Sequence, residues 1–70
     1  MVKVIFSASG FASTAYEYAD EKTARAAMRC DAEEVAAEHE GEVVDFGNGE
    51  IVAQRRGNGE EIARWELEKS

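Results

Sequence analysis

Gly47-Asn48-Gly49-Glu50 recurs ten residues later as Gly57-Asn58-Gly59-Glu60, and this pair of turns constrains the fold more than any other feature of the chain. Asn-Gly between apolar runs is the strongest short-range hairpin signal, because both residues tolerate the positive φ that tight hairpin turns require. Two such turns predict three consecutive antiparallel strands, over residues 42–46, 50–56 and 61–67. Two short copies cannot stack into a solenoid, so the repeat is one turn used twice.

Loop length sets the register. A two-residue loop at Asn48-Gly49 places Phe46 opposite Ile51 and Val44 opposite Ala53. The same loop at the second turn would set Glu66 and Arg64 against Ile51 and Ala53, putting charge on the core face. A three-residue loop at Gly57-Asn58-Gly59, with its last Gly in a bulge, instead puts Trp65 beside Ile51, Ala63 beside Ala53 and Glu61 beside Arg55. Unequal loops are therefore expected, with Val44, Phe46, Ile51, Ala53, Ala63, Trp65 and Leu67 sharing one face.

That face needs a cover, and residues 20–39, DEKTARAAMRCDAEEVAAEH, supply it as the one helix. At about 100° per residue, Ala24, Met28, Ala32, Val35, Ala36 and His39 fall within an arc of roughly 120°, the width of a core-facing stripe. Asp20 is a good N-cap residue, and Gly41 stands where a left-handed residue ends a helix. Thr14 with Glu17 also fits a capping box and leaves an earlier start open. Length favours the later one, since a helix over 14–39 would run ~39 Å beside strands of only ~20–24 Å. A second capping box, Asp31 with Glu34, leaves room for a kink at Cys30.

Before the helix, residues 1–9 alternate Val2, Val4 and Phe6 against Lys3, Ile5 and Ser7. Residues 14–19 alternate around Tyr16 and Tyr18, and Gly10 sits in the loop between the two runs. The expected fold class is α+β: a single antiparallel five-stranded sheet with one helix on one face, in the order β-β-α-β-β-β. Residues 1–70 make one domain, and Val2, Val4, Phe6, Tyr16 and Tyr18 join the helix-facing side.

The formal charge of −7 is unevenly placed: residues 1–30 sum to +1, residues 31–50 to −8 and residues 51–70 to zero. Asp31, Glu33, Glu34, Glu38 and Glu40 crowd the second half of the helix, where the macrodipole disfavours negative charge. Glu34 and Glu38 also repel each other at i,i+4. These five are the first candidate binding residues, an acidic patch for a basic protein partner; the plain alternative is a solvated, solubilising surface. Direct contact with nucleic acid is not expected, because phosphate recognition requires a basic patch.

The sheet face away from the helix is the second candidate. Ile5, Val43, Val52 and Ile62, rimmed by Asp45, Arg56 and Arg64, are expected there. Exposed apolar clusters with charged rims mark partner surfaces, although isolated aliphatic residues are ordinary in strands.

Chemistry has little to work with. One cysteine forms no internal disulfide, and Cys30 projects away from the apolar arc. His39 is the only histidine and lacks convergent metal ligands. It lies about half a turn around the helix from Cys30, which opposes a Cys–His dyad. Exposed carboxylates on one helix lack the burial that separates pKa values for acid–base work. No catalytic, metal, cofactor or nucleotide motif is present, so a non-enzyme without cofactors is expected. No apolar run approaches the ~20 residues of a membrane span, and no targeting or lipidation motif appears, so the expected setting is the cytoplasm.

In plan, two strands, one helix and a three-strand meander with the turn sequences FGNGEIVAQ and RGNGEEIAR, the chain resembles several small phage-encoded inhibitors, some anti-CRISPR proteins among them. The resemblance implies a non-catalytic inhibitor that occupies a nucleic-acid or nuclease-recruitment surface of a CRISPR effector, which an acidic 31–50 block would suit. It carries over no binding residue. The alternative expectation is a homodimeric structural or accessory domain with no foreign target.

Overall fold

The computed structural model describes residues 1–8, 10 and 12–69, with residue 69 described in its backbone only. The elements follow the expected order: β1 (Val2–Ala8), β2 (Thr14–Tyr18), α1 (Glu21–Glu38), β3 (Gly41–Asp45), β4 (Glu50–Arg55) and β5 (Glu61–Lys69). They build one antiparallel sheet in the order β2-β1-β5-β4-β3. The C-terminal strand is thus its middle, and α1 packs on one face. Residue 9, the expected end of the first strand, lies outside the described residues.

Residues 14–18 are strand, so the capping box at Thr14 is not used. Asp20 caps α1 instead: its carboxylate accepts the Thr23 backbone N–H at 2.7 Å. The helix runs unbroken through Cys30 for 18 residues. Its end differs from expectation, because Glu40 and not Gly41 takes the left-handed conformation, at φ 53°. Gly41 already belongs to β3. It is glycine because a Cβ there would collide with the Gln54 carbonyl oxygen and press on Ile62.

The core is built from small residues. Ala24, Met28, Ala32 and Ala36 form the buried stripe of α1, and they meet Val4, Ile51, Ala53, Ala63 and Trp65 from the sheet. Ala53 lies opposite Ala63 and Ile51 opposite Trp65, as expected. The short side chains let helix and sheet approach closely, and Met28 and Trp65 fill the largest volumes. Val2, Phe6, Ala8, Tyr18, Val35, Val43 and Leu67 pack around this centre.

The register between β3 and β4 is shifted by one residue from expectation. Val43 faces Ala53, Val44 faces Val52 and Asp45 faces Ile51. The first turn is a three-residue loop over Gly47, Asn48 and Gly49, closed by the Phe46 N–H donating to the Glu50 carbonyl at 3.0 Å. Only the two glycines of that loop adopt positive φ, at 77° and 94°, whereas a two-residue Asn-Gly turn would need Asn48 there as well. The Gly47 N–H donates to the Asp45 carboxylate at 2.8 Å. That Asx-type bond draws Asp45 into the turn and takes up the extra residue.

A one-residue slip turns every side chain of a strand over. Val43 and Asp45 therefore face the helix side, while Val44 lies on the open face and Phe46, 54 % exposed, is outside the core. The second turn is longer than expected too. Residues 56–59 form its loop, with the Arg55 N–H donating to the Glu60 carbonyl at 2.8 Å. A bulge opposite Gln54 leaves Glu61, rather than Ile62, as its partner. The loops are unequal, as expected, but hold three and four residues instead of two and three.

Candidate functional site

One helix cannot roof five strands. At ~4.8 Å between neighbours the sheet is roughly 19 Å wide, while a helix with its side chains is only ~10–12 Å across. The Ala24–Met28–Ala32–Ala36 stripe seats α1 mainly over β3, β4 and β5, away from the β1–β2 edge. On the β1–β2 side only the flank of the helix overhangs. There it leaves a cleft of about 220 Å³, lined by Phe6, Tyr16 and Trp65 from the sheet and by Asp31, Glu34, Val35 and Glu38 from the helix.

Strand alternation explains the aromatic wall. Phe6 pairs in register with Trp65 on one side and Thr14 on the other, and Tyr16 pairs with Val4. All of these side chains point to the helix side. The Phe6 and Trp65 rings stand 5.2 Å apart and are tilted by 48°, a favourable aromatic geometry. Trp65, 2 % exposed, forms the floor, while Tyr16 remains 48 % exposed at the rim. Helical spacing explains the acidic wall, since residues 31, 34, 35 and 38 lie along one helix flank.

The expected acidic patch is therefore divided. Asp31, Glu34 and Glu38 overhang the cleft. Glu33 lies on the opposite flank, in a hollow shared with Ala36, Ala37, Gly41, Glu42, Val43 and Arg56, and Glu40 sits in the turn after the helix. All five are exposed, and no cation of the described residues lies within ion-pair distance of any of them. The last turn of α1 contains no basic residue.

Three of the five arginines are committed elsewhere. Arg25 pairs with Glu21 at 2.9 Å and Arg29 with Asp45 at 3.0 Å. Arg64 reaches Glu61 at 2.8 Å, Glu50 at 3.1 Å and Glu66 at 3.8 Å. The hydrogen bond from the Gly47 N–H, and then Arg29, hold the Asp45 carboxyl below the ordinary aspartate range. The Thr23 N–H does the same for Asp20. Glu61 in first place, with Glu50 and Glu66, raises Arg64 further above its usual value.

The second expected site, the open sheet face, does not assemble as an apolar patch. Ile5, Val52 and Arg64 do lie there, in register with Glu66, Val44 and Ser7 respectively. Val43 and Asp45 are turned to the helix side by the register shift. Ile62 lies beside the β4–β5 bulge and lines a second helix-side cavity with Val35 and His39, and Arg56 is in the 56–59 turn. Val52 itself is only 4 % exposed, flanked in register by Val44 and by Arg64. What the face presents is the half-buried Ile5 and Val44, well apart, and a group of carboxylates around Arg64.

The second helix-side cavity, about 370 Å³, is lined by Phe6, Ala8, Val35, His39, Arg55, Glu60, Glu61, Ile62 and Ala63. It shares Phe6 and Val35 with the first, so the two hollows adjoin along the same flank of the helix. Cys30 is exposed. Among the described residues no group of His, Cys, Asp and Glu is placed to hold a metal ion, and no helix is long and apolar enough to cross a membrane. No protein-family model matches the chain, no curated protein is significantly similar in sequence, and no solved structure is significantly similar in fold.

Proposed function

We propose that this chain is a small acidic, non-catalytic protein-binding module that engages a basic, nucleic-acid-handling surface of a larger protein. The observation that carries the reading is the flank of α1. Asp31, Glu34 and Glu38 stand exposed and unneutralised in the helix half where the macrodipole opposes them, a local cost that packing does not explain. They stand beside aromatic surface rather than over plain solvent. Among the described residues no polar or charged side chain is buried, which favours recognition over acid–base chemistry, since the latter relies on desolvated groups.

Inhibition by mimicry of a nucleic-acid backbone, as the resemblance to phage-encoded inhibitors implies, is the finer form of this reading, with a CRISPR effector as its named target. Homodimerisation through the open sheet face has less to rest on, because, of the four apolar residues expected there, Val43 and Ile62 are turned inward, Val52 is buried and only Ile5 is left partly exposed. The test is competition. Added to a purified CRISPR effector or another basic nucleic-acid-binding protein, the chain should displace labelled nucleic acid, and the displacement should weaken steeply between 50 and 300 mM salt, as screening requires. Displacement independent of salt, or no binding to any basic protein tested, would refute the reading.

A further inference from the structure

We propose that the aromatic cleft between α1 and strands β1 and β2 is the anchor point of that interaction and takes a single arginine side chain of the partner protein; the inference rests on the protein-binding reading above and names the group recognised. At about 220 Å³ the cleft falls short of the ~300–1,000 Å³ typical of small-molecule sites, and its size suits one inserted side chain. Its walls differ in kind. Phe6 and Tyr16 offer ring faces and edges over the Trp65 floor, and Asp31, Glu34 and Glu38 supply three carboxylates on the facing wall.

A cation entering there meets π-surface on one side and paired carboxylates on the other, and it relieves the Glu34–Glu38 repulsion that the free protein sustains. Guanidinium fits this better than ammonium. It is planar, so it stacks on an aromatic face while its N–H fork donates to carboxylates, and it sheds its hydration more readily.

The probe is the blocked peptide acetyl-Gly-Arg-Gly-Arg-Gly-amide with its lysine and citrulline counterparts, read by the emission of Trp65, the only tryptophan. The arginine peptide should bind saturably, the lysine peptide more weakly, and the neutral citrulline peptide not at all. Glu34→Gln with Glu38→Gln should weaken binding about tenfold, in keeping with charges that face the ligand directly. Tyr16→Ser, half exposed and on an edge strand, should weaken it roughly fivefold, within the range of cation–π contacts. Glu33→Gln with Glu40→Gln removes the same charge from outside the cleft and should change binding less than about twofold.

Equal losses from the two acidic pairs would overturn the cleft while leaving a general acidic surface, and with it the proposed function, in place. Equal binding of the citrulline peptide would overturn cation recognition. Absence of binding by every basic peptide would overturn the cleft, and the competition with an intact basic protein would then show whether the broader reading falls with it.

Discussion

Gly41 and Asp45 show how single residues decide this fold for reasons that composition hides. Gly41 reads as a helix terminator, yet Glu40 carries the positive φ. Glycine is required at 41 because β3 passes so close to the Gln54 carbonyl that no side chain fits. Gly41→Ala should therefore destabilise the protein by about 1–3 kcal/mol, the usual cost of overpacking, with no loss of helix content. Urea unfolding followed by circular dichroism measures both. Asp45, expected at the rim of a partner surface, instead holds the Gly47 N–H and Arg29, and so sets the turn. Neither role was legible from residue type alone, since both depend on where the neighbouring strand lies.

At the scale of elements, most of the architecture was readable. Period-2 alternation identified the first two strands, the repeated Gly-Asn-Gly turns the last three, an uninterrupted helical stripe identified α1, and Asp20 identified its start. The pairing of Ile51 with Trp65 and Ala53 with Ala63 followed from keeping charge off the core. What failed was the length of the first turn. Asn48-Gly49 argues for a two-residue loop, whereas the Asx bond from Asp45 and the positive φ of both Gly47 and Gly49 fit the three-residue loop that forms. The resulting register has a direct check. Val43→Lys should cost about 2 kcal/mol, because Val43 packs against the core. Val44→Lys on the open face should cost less than about 1 kcal/mol. The reverse order in urea midpoints would mean that β3 sits in the other register.

For the whole molecule, the informative quantity is width. Two candidate surfaces are legible in the sequence, the acidic half of the helix and the sheet face that the helix leaves bare. A third follows from dimensions alone, since ~10–12 Å of helix over ~19 Å of sheet leaves an unroofed strip on the covered side. That strip lies along β1 and β2, and there the aromatic residues of the N-terminal hairpin meet the acidic flank of α1. The acidic half of the reading was legible in the charge pattern. The aromatic half was not, because Tyr16 and Trp65 both read as core while only Trp65 is buried.

The most direct measurement is a nitrogen-15 correlation spectrum of the protein titrated with the arginine peptide. Recognition in the strip beside the helix predicts saturable shifts at Phe6, Tyr16, Glu34, Val35 and the Trp65 indole N–H, with Ile5, Val44, Arg64 and Glu33 unmoved. Shifts centred on Ile5, Val44 and Arg64, or spread evenly over every acidic residue, would contradict it.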